Sequence, residues 1–306
     1  MNRVWVAGRD FLELFFWPLS IAMLPWPIGF RVARFVARRR WFFEDSARAA
    51  LGAAKSRLQV RDDADWLYRY RFTRLMDHAD LYLSLTRSRA WMEKCFVRHG
   101  EWPAQKPVIG MTFHWGNGLF ALRSLKYSTG PFAGVALAVD KALFRGRPVQ
   151  YAYVKLRNWE TARAIGGGLN YTGGAARRFA AALRAGTSIC GLFDVPPAPL
   201  VKARKADFLG GTAWFPRGAV RLAVAHRVSL VIFRSTVDPT SGKREIWIES
   251  PAAATDETVL FERAVRNLEE AVKMQPAAWH LWGALNAFSE AALTAGHSQP
   301  QGATHS

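Results

Sequence analysis

One apolar run constrains this chain more than any other feature. Val108-Ile109-Gly110-Met111-Thr112-Phe113 ends at a lone histidine, His114, and Trp115, Gly116, Asn117 and Gly118 follow. A short, continuously apolar run reads as a strand buried on both faces, the kind a parallel or mixed sheet needs. Similar runs recur at 132–139, 188–193 and 228–234, with a further strand at 245–249. Helical stretches separate them at 117–125, at the Ala-rich 175–185 ending at Gly186, and at 256–274 and 277–292 around Pro276. Residues 45–100 read as helices, closed by Gly100, Pro103 and Pro107. The alternation predicts an α/β fold, a mostly parallel mixed sheet flanked by helices.

The carboxyl end of a strand is where α/β sheets place ligands and chemistry. A histidine there can act as a general base, because imidazole titrates near neutrality. His78, His99, His226 and His280 lack that setting and read as structural or surface residues.

The chain has 306 residues and a formal net charge of +18, from 42 Lys+Arg against 24 Asp+Glu. So basic a surface calls for an anionic partner. No helix-turn-helix, zinc-finger or RNP-type motif supports nucleic acid, whereas 13 Trp and 20 Phe favour an anionic membrane surface. The two cysteines, Cys95 and Cys190, are too far apart for a disulfide framework or a metal-ligand spacing, and read as buried thiols of a reducing compartment. No metal or other cofactor is expected. Gly166-Gly167-Gly168 lacks the Gly-Lys-Ser/Thr ending of a phosphate loop and reads as a flexible substrate-side loop.

Residues 11–30 are hydrophobic enough to enter a bilayer, yet Glu13, Pro18, Pro25 and Pro27 interrupt them. Arginines and aromatic rings then interleave over 31–43, a composition suited to the headgroup layer. Residues 1–43 are therefore expected to form a membrane-associated segment, as a kinked or re-entrant anchor. A spanning helix and helices packed on the domain are the alternatives. With no long Ser/Gly/Pro linker, 44–295 is expected to be one domain, and 296–306 a disordered tail.

His114-Trp115-Gly116-Asn117 resembles the strand-end motif of the late acyltransferases of lipid A biosynthesis, within the lysophospholipid acyltransferase superfamily. Four further ordered blocks are similar to that family: 69–101; Leu192-Phe193-Asp194-Val195-Pro196-Pro197, a strand ending in an acid before a loop; 213–223, with its Gly-x-x-x-Leu-Ala helix; and Gln275-Pro276-Ala277-Ala278-Trp279. Arg157 lies about where the family has an arginine after its second strand. The family's motif carries an acid five residues after the histidine, where this chain has Leu119.

The resemblance implies acyl transfer from an acyl carrier protein or coenzyme A thioester to a hydroxyl of a lipid or lipid-like acceptor. The place would be the cytoplasmic face of a bacterial inner membrane. His114 is the expected base. Leu119 cannot orient it, so a replacement acid is needed; Asp194 and Asp140 both end predicted strands, and Asp194 is the assigned partner. Asn117 can cap the following helix or hold His114. Arg217, Gly218 and Arg221 can hold a phosphate at a helix start, or form a solvated helix face. Asn117, Arg157, Arg217 and Gly218 are the expected substrate contacts. The alternative is a catalytically inactive member of this fold that binds lipid or acyl carrier protein in a biosynthetic complex.

Overall fold

A computed structural model describes residues 3–136, 139–171, 174–197 and 202–289; the expected tail, 296–306, lies outside them. The chain starts with helices: α1 (Arg3–Phe11), a π-helical turn (Leu12–Phe16), α2 (Trp17–Met23), α3 (Trp26–Ala37), α4 (Glu44–Lys55), α5 (Asp63–Thr86) and α6 (Arg89–Lys94). Pro27 sits in the first turn of α3, where a missing N–H costs nothing, and Pro25 caps α3; Pro18 follows directly on the π-helical turn within a helical run that continues from Arg3 to Met23. The break at Leu24 and Pro25 thus divides the hydrophobic stretch into two helical runs. Among the described residues, no helix is long and apolar enough to cross a membrane.

Alternation follows: β1 (Phe96–His99), β2 (Ile109–Thr112), α7 (Gly118–Thr129), β3 (Phe132–Ala136), α8 (Pro148–Ile165), β4 (Gly166–Tyr171), α9 (Ala175–Arg184) and β5 (Ser188–Leu192). Then come β6 (Ala203–Phe208), β7 (Gly211–Pro216), α10 (Gly218–His226), β8 (Leu230–Val237), β9 (Arg244–Ile248) and α11 (Glu257–Met274). Seven strands form one sheet in the order β1-β9-β8-β2-β5-β3-β4. Among the described residues, the one antiparallel pair of this sheet is β8–β9 and its other pairs are parallel, while β6 and β7 form a separate antiparallel pair. The α/β fold with a mostly parallel mixed sheet is therefore present. β2 lies at its centre, and all four of its residues are buried.

Three stretches differ from the sequence reading. Residues 96–99 are an edge strand rather than helix end. Gly166–Tyr171 is strand β4, not a loop: a Cβ on Gly167 would lie 2.3 Å from the Phe132 carbonyl oxygen, so glycine allows the close approach to β3. Within 277–292, the described part forms short 3₁₀ turns, Pro276–Ala278 and Trp282–Phe288, in place of an α-helix.

The N-terminal helices pack on the domain through Ile21, Phe30, Ala33, Val36, Phe42 and Phe43 against Phe72, Leu75, Met76 and Ala79 of α5. Polar ties reinforce this contact. Arg147 forms an ion pair with the buried Asp10 at 2.6 Å, and Tyr82 donates to the Leu14 carbonyl at 2.7 Å. The outward side stays apolar. Trp5, Leu12, Phe16, Leu19 and Met23 are all exposed and recur at helical spacing.

Candidate active site

β2 and β5 are parallel neighbours with Thr112 opposite Leu192. Two residues beyond each strand, His114 and Asp194 are therefore delivered side by side at the carboxyl edge of the sheet. The His114 backbone N–H donates to both Asp194 oxygens, at 2.8 and 2.9 Å. The His114 ring meets the same carboxylate, with Nδ1 3.1 Å from Oδ1. The Trp279 indole N–H donates to Oδ2 at 2.9 Å. Asp194 is wholly buried, while the His114 side chain is 32% exposed.

A carboxylate only accepts, so Nδ1 carries the proton and Nε2 presents its lone pair. Among the described residues Nε2 has no hydrogen-bond partner. A buried acid behind an imidazole whose outer nitrogen is free can orient a base and stabilise the imidazolium it becomes.

The loop carrying His114 is pinned peptide by peptide. The Gly116 N–H donates to the Ala278 carbonyl and the Asn117 N–H to the Ser235 carbonyl, both at 2.9 Å. The Ser235 hydroxyl donates to the Asn117 carbonyl at 2.5 Å. The His280 N–H donates to the His114 carbonyl at 2.8 Å, and His280 Nε2 lies 2.8 Å from the Gly116 carbonyl. Gly116 takes φ +65°, and a Cβ there would lie 2.1 Å from the Ser235 carbonyl oxygen, so only glycine fits.

The other predicted residues occupy varied places. Asn117 is fully buried at the head of α7, yet its amide neither caps the helix nor bonds His114. Both expected uses of that amide are thus corrected: Asn117 holds the loop by its backbone. Leu119 turns away into a cluster with Leu81, Tyr82, Phe120 and Tyr153. Arg157, on α8, pairs with Asp77 at 2.8 Å and donates to the Tyr153 hydroxyl at 3.1 Å. Arg217 pairs with Glu257 at 3.3 Å. No hydrogen bond or ion pair joins Arg157, Arg217 or Gly218 to His114 or Asp194. Asp140 caps a 3₁₀ turn by accepting the Ala142 N–H at 2.9 Å. An open hollow of about 550 Å³ lies beside that turn, at Phe144, Pro148 and Tyr151, with Lys141 and Arg145 also lining it.

A polar network behind the loop went unforeseen. Arg74 and Asp77 of α5, Tyr153 and Arg157 of α8, and His78 and His280 meet there. Burial alone would raise the Asp77 carboxyl, but the charges of Arg157, His280 and His78 outweigh it and hold it below the usual carboxylate range. Burial, then the Arg74 charge, pushes His280 down to about 4. The same two causes lower His78.

No protein-family model and no curated protein matches the sequence. Among solved structures, the chain is similar to the 1-acyl-sn-glycerophosphate (LPA) acyltransferase PlsC from Thermotoga maritima, at 14% identity and a TM-score of 0.38, over 80% of this chain and 98% of that one.

Proposed function

We propose that this protein is a membrane-associated acyltransferase that moves an acyl group from a carrier thioester to a hydroxyl of a lipid or lipid-like acceptor. The observation that carries the reading is the contact of His114 Nδ1 with the wholly buried Asp194, which leaves Nε2 free. In the proposed reaction, Nε2 takes the proton of the acceptor hydroxyl. The oxygen attacks the thioester carbonyl, the tetrahedral oxyanion collapses, and the thiolate leaves with the proton that His114 returns. Asp194 stabilises the imidazolium in between. The acid missing at position 119 is thus supplied by a neighbouring strand.

The surroundings support the partners. The +18 charge suits an acidic acyl carrier protein or the phosphates of coenzyme A, and equally an anionic lipid surface. The exposed stripe of α1 and α2, with the arginines of 31–40, suits the cytoplasmic face of a bacterial inner membrane.

The test is transfer by purified protein, using acyl carrier and coenzyme A thioesters with membrane lipid acceptors. His114→Ala is expected to slow transfer roughly a hundred- to ten-thousand-fold, the usual worth of a general base. Transfer that is unchanged in His114→Ala rejects the base. No transfer by wild type, with lipid or carrier protein still bound, favours the inactive binding protein.

A further inference from the structure

We propose that His280 is a positioning residue for His114, and that Arg74 holds it in the single tautomer this task needs. The inference rests on the reading of His114 as the base. His280 grips the loop twice, through its backbone N–H on the His114 carbonyl and its Nε2 on the Gly116 carbonyl, each at 2.8 Å. A carbonyl oxygen can only accept, so Nε2 carries the proton. Nδ1 then holds a lone pair, and the Arg74 guanidinium donates to it across 3.0 Å. A guanidinium has no acceptor, so the opposite tautomer would set two donors against each other. The doubly protonated ring would add a like charge to the clash.

Chain geometry makes this contact bear on His114 rather than on the fold at large. Residues 278–280 run antiparallel to 114–116, bridged at Trp115 and Trp279. Side chains alternate along such a segment. Trp279 reaches the Asp194 carboxylate, and its neighbour His280 reaches the Gly116 carbonyl. Consecutive residues thus fix the acid and the loop that carries the base. The margin is small: at 3.1 Å, the ring-to-carboxylate contact is near the long end for an N–H···O bond, and a modest tilt of the loop would break it. Arg74 belongs to α5, which also carries Asp77, the partner of Arg157 on α8. The tautomer of His280 is therefore set by Arg74 of α5, the helix that the Asp77–Arg157 pair ties to α8.

The experiment compares wild type with His280→Ala, His280→Gln and Arg74→Met, as full-length protein. Two readouts are taken: the histidine ¹⁵N spectrum, which reports tautomers, and kcat and KM for thioester transfer. In His280→Ala, His114 is expected to lose its single Nδ1–H form and kcat to fall about ten- to a hundred-fold, the scale of a small misplacement, with KM little changed. His280→Gln keeps a donor for the Gly116 carbonyl and is expected to restore most of both. Arg74→Met leaves the imidazole in place, so it is informative even if His280→Ala does not fold. Its expected signature is averaging of the His280 nitrogen signals.

An unchanged His114 spectrum and kcat in His280→Ala overturn the proposal. So does a His280→Gln variant as impaired as His280→Ala. A wild-type His280 spectrum in Arg74→Met overturns the role given to Arg74. If wild type transfers nothing while His114 still responds to His280→Ala, the acyltransferase reading fails and the positioning stands.

Discussion

Asp194 offers two oxygens to three donors: the His114 backbone, the His114 ring and the Trp279 indole. Asp194→Asn replaces one oxygen by an NH₂ that must face a donor. The expected cost is on the order of 3 kcal/mol of stability, since hydrogen bonds to buried charge are the strong ones. Transfer is expected to fall as well, because an amide cannot stabilise an imidazolium. Denaturant unfolding and kinetics check both, and combining it with His114→Ala is expected to slow transfer little beyond His114→Ala alone, as groups acting together are non-additive. Leu119 invites the opposite change, and the structure argues against it. At 4% exposure it packs between α7, α5 and α8. Leu119→Glu is expected to lower the melting temperature without raising the rate, since an unpaired buried carboxylate costs several kcal/mol. His114 was legible because an apolar run ended on it, and Asp194 because it ended another. His280 was not, because its setting is made by chain segments far away in sequence: β2's loop and α5.

At the scale of elements, the central strands could be read because burial on both faces leaves an apolar signature. β4 could not, since a Gly-Gly-Gly start carries no side-chain pattern and its evidence is the close approach to Phe132. β1 was hidden because a four-residue strand at the sheet edge, half exposed, has no period of its own. The 276–288 turns mimic a helix in composition, but their Trp279 and Trp282 rings are spent on the core around Asp194. This last element gives the molecule a pH dependence. His280 is held near 4 in the fold against 6.5 for a free imidazole, so it stays neutral where the unfolded chain takes up a proton. Its contribution is full above about 6.5 and is lost as pH falls toward 4. Asp80, which burial raises to about 6 against its Arg244 partner, works in the other direction as pH rises from 3.8. A difference measurement separates the two. The unfolding free energy of wild type minus that of His280→Gln is expected to shrink between pH 6.5 and 4. A difference that stays flat across that window would show that His280 is protonated in the fold.

At the scale of the whole molecule, the N-terminal segment has two sides that do different work. Its inner side covers Phe72, Leu75, Met76 and Ala79, so deletion of 1–43 would uncover part of the core and confuse unfolding with release from a membrane. Its outer side can be changed without that penalty, because Trp5, Phe16 and Met23 are 55%, 44% and 64% exposed. The variant Trp5→Glu, Phe16→Glu, Met23→Glu is expected to keep the wild-type melting temperature. It is expected to bind phosphatidylglycerol vesicles about a hundredfold more weakly, as each side chain brings on the order of 1 kcal/mol into the bilayer. High salt would weaken wild-type binding by screening the arginines of 31–40, but would not abolish it if the apolar stripe inserts. Co-sedimentation at low and high salt reads both terms. Equal binding by the triple variant and wild type would move the membrane contact away from the exposed stripe of α1 and α2, and loss of that binding in high salt would assign it to the arginines of 31–40.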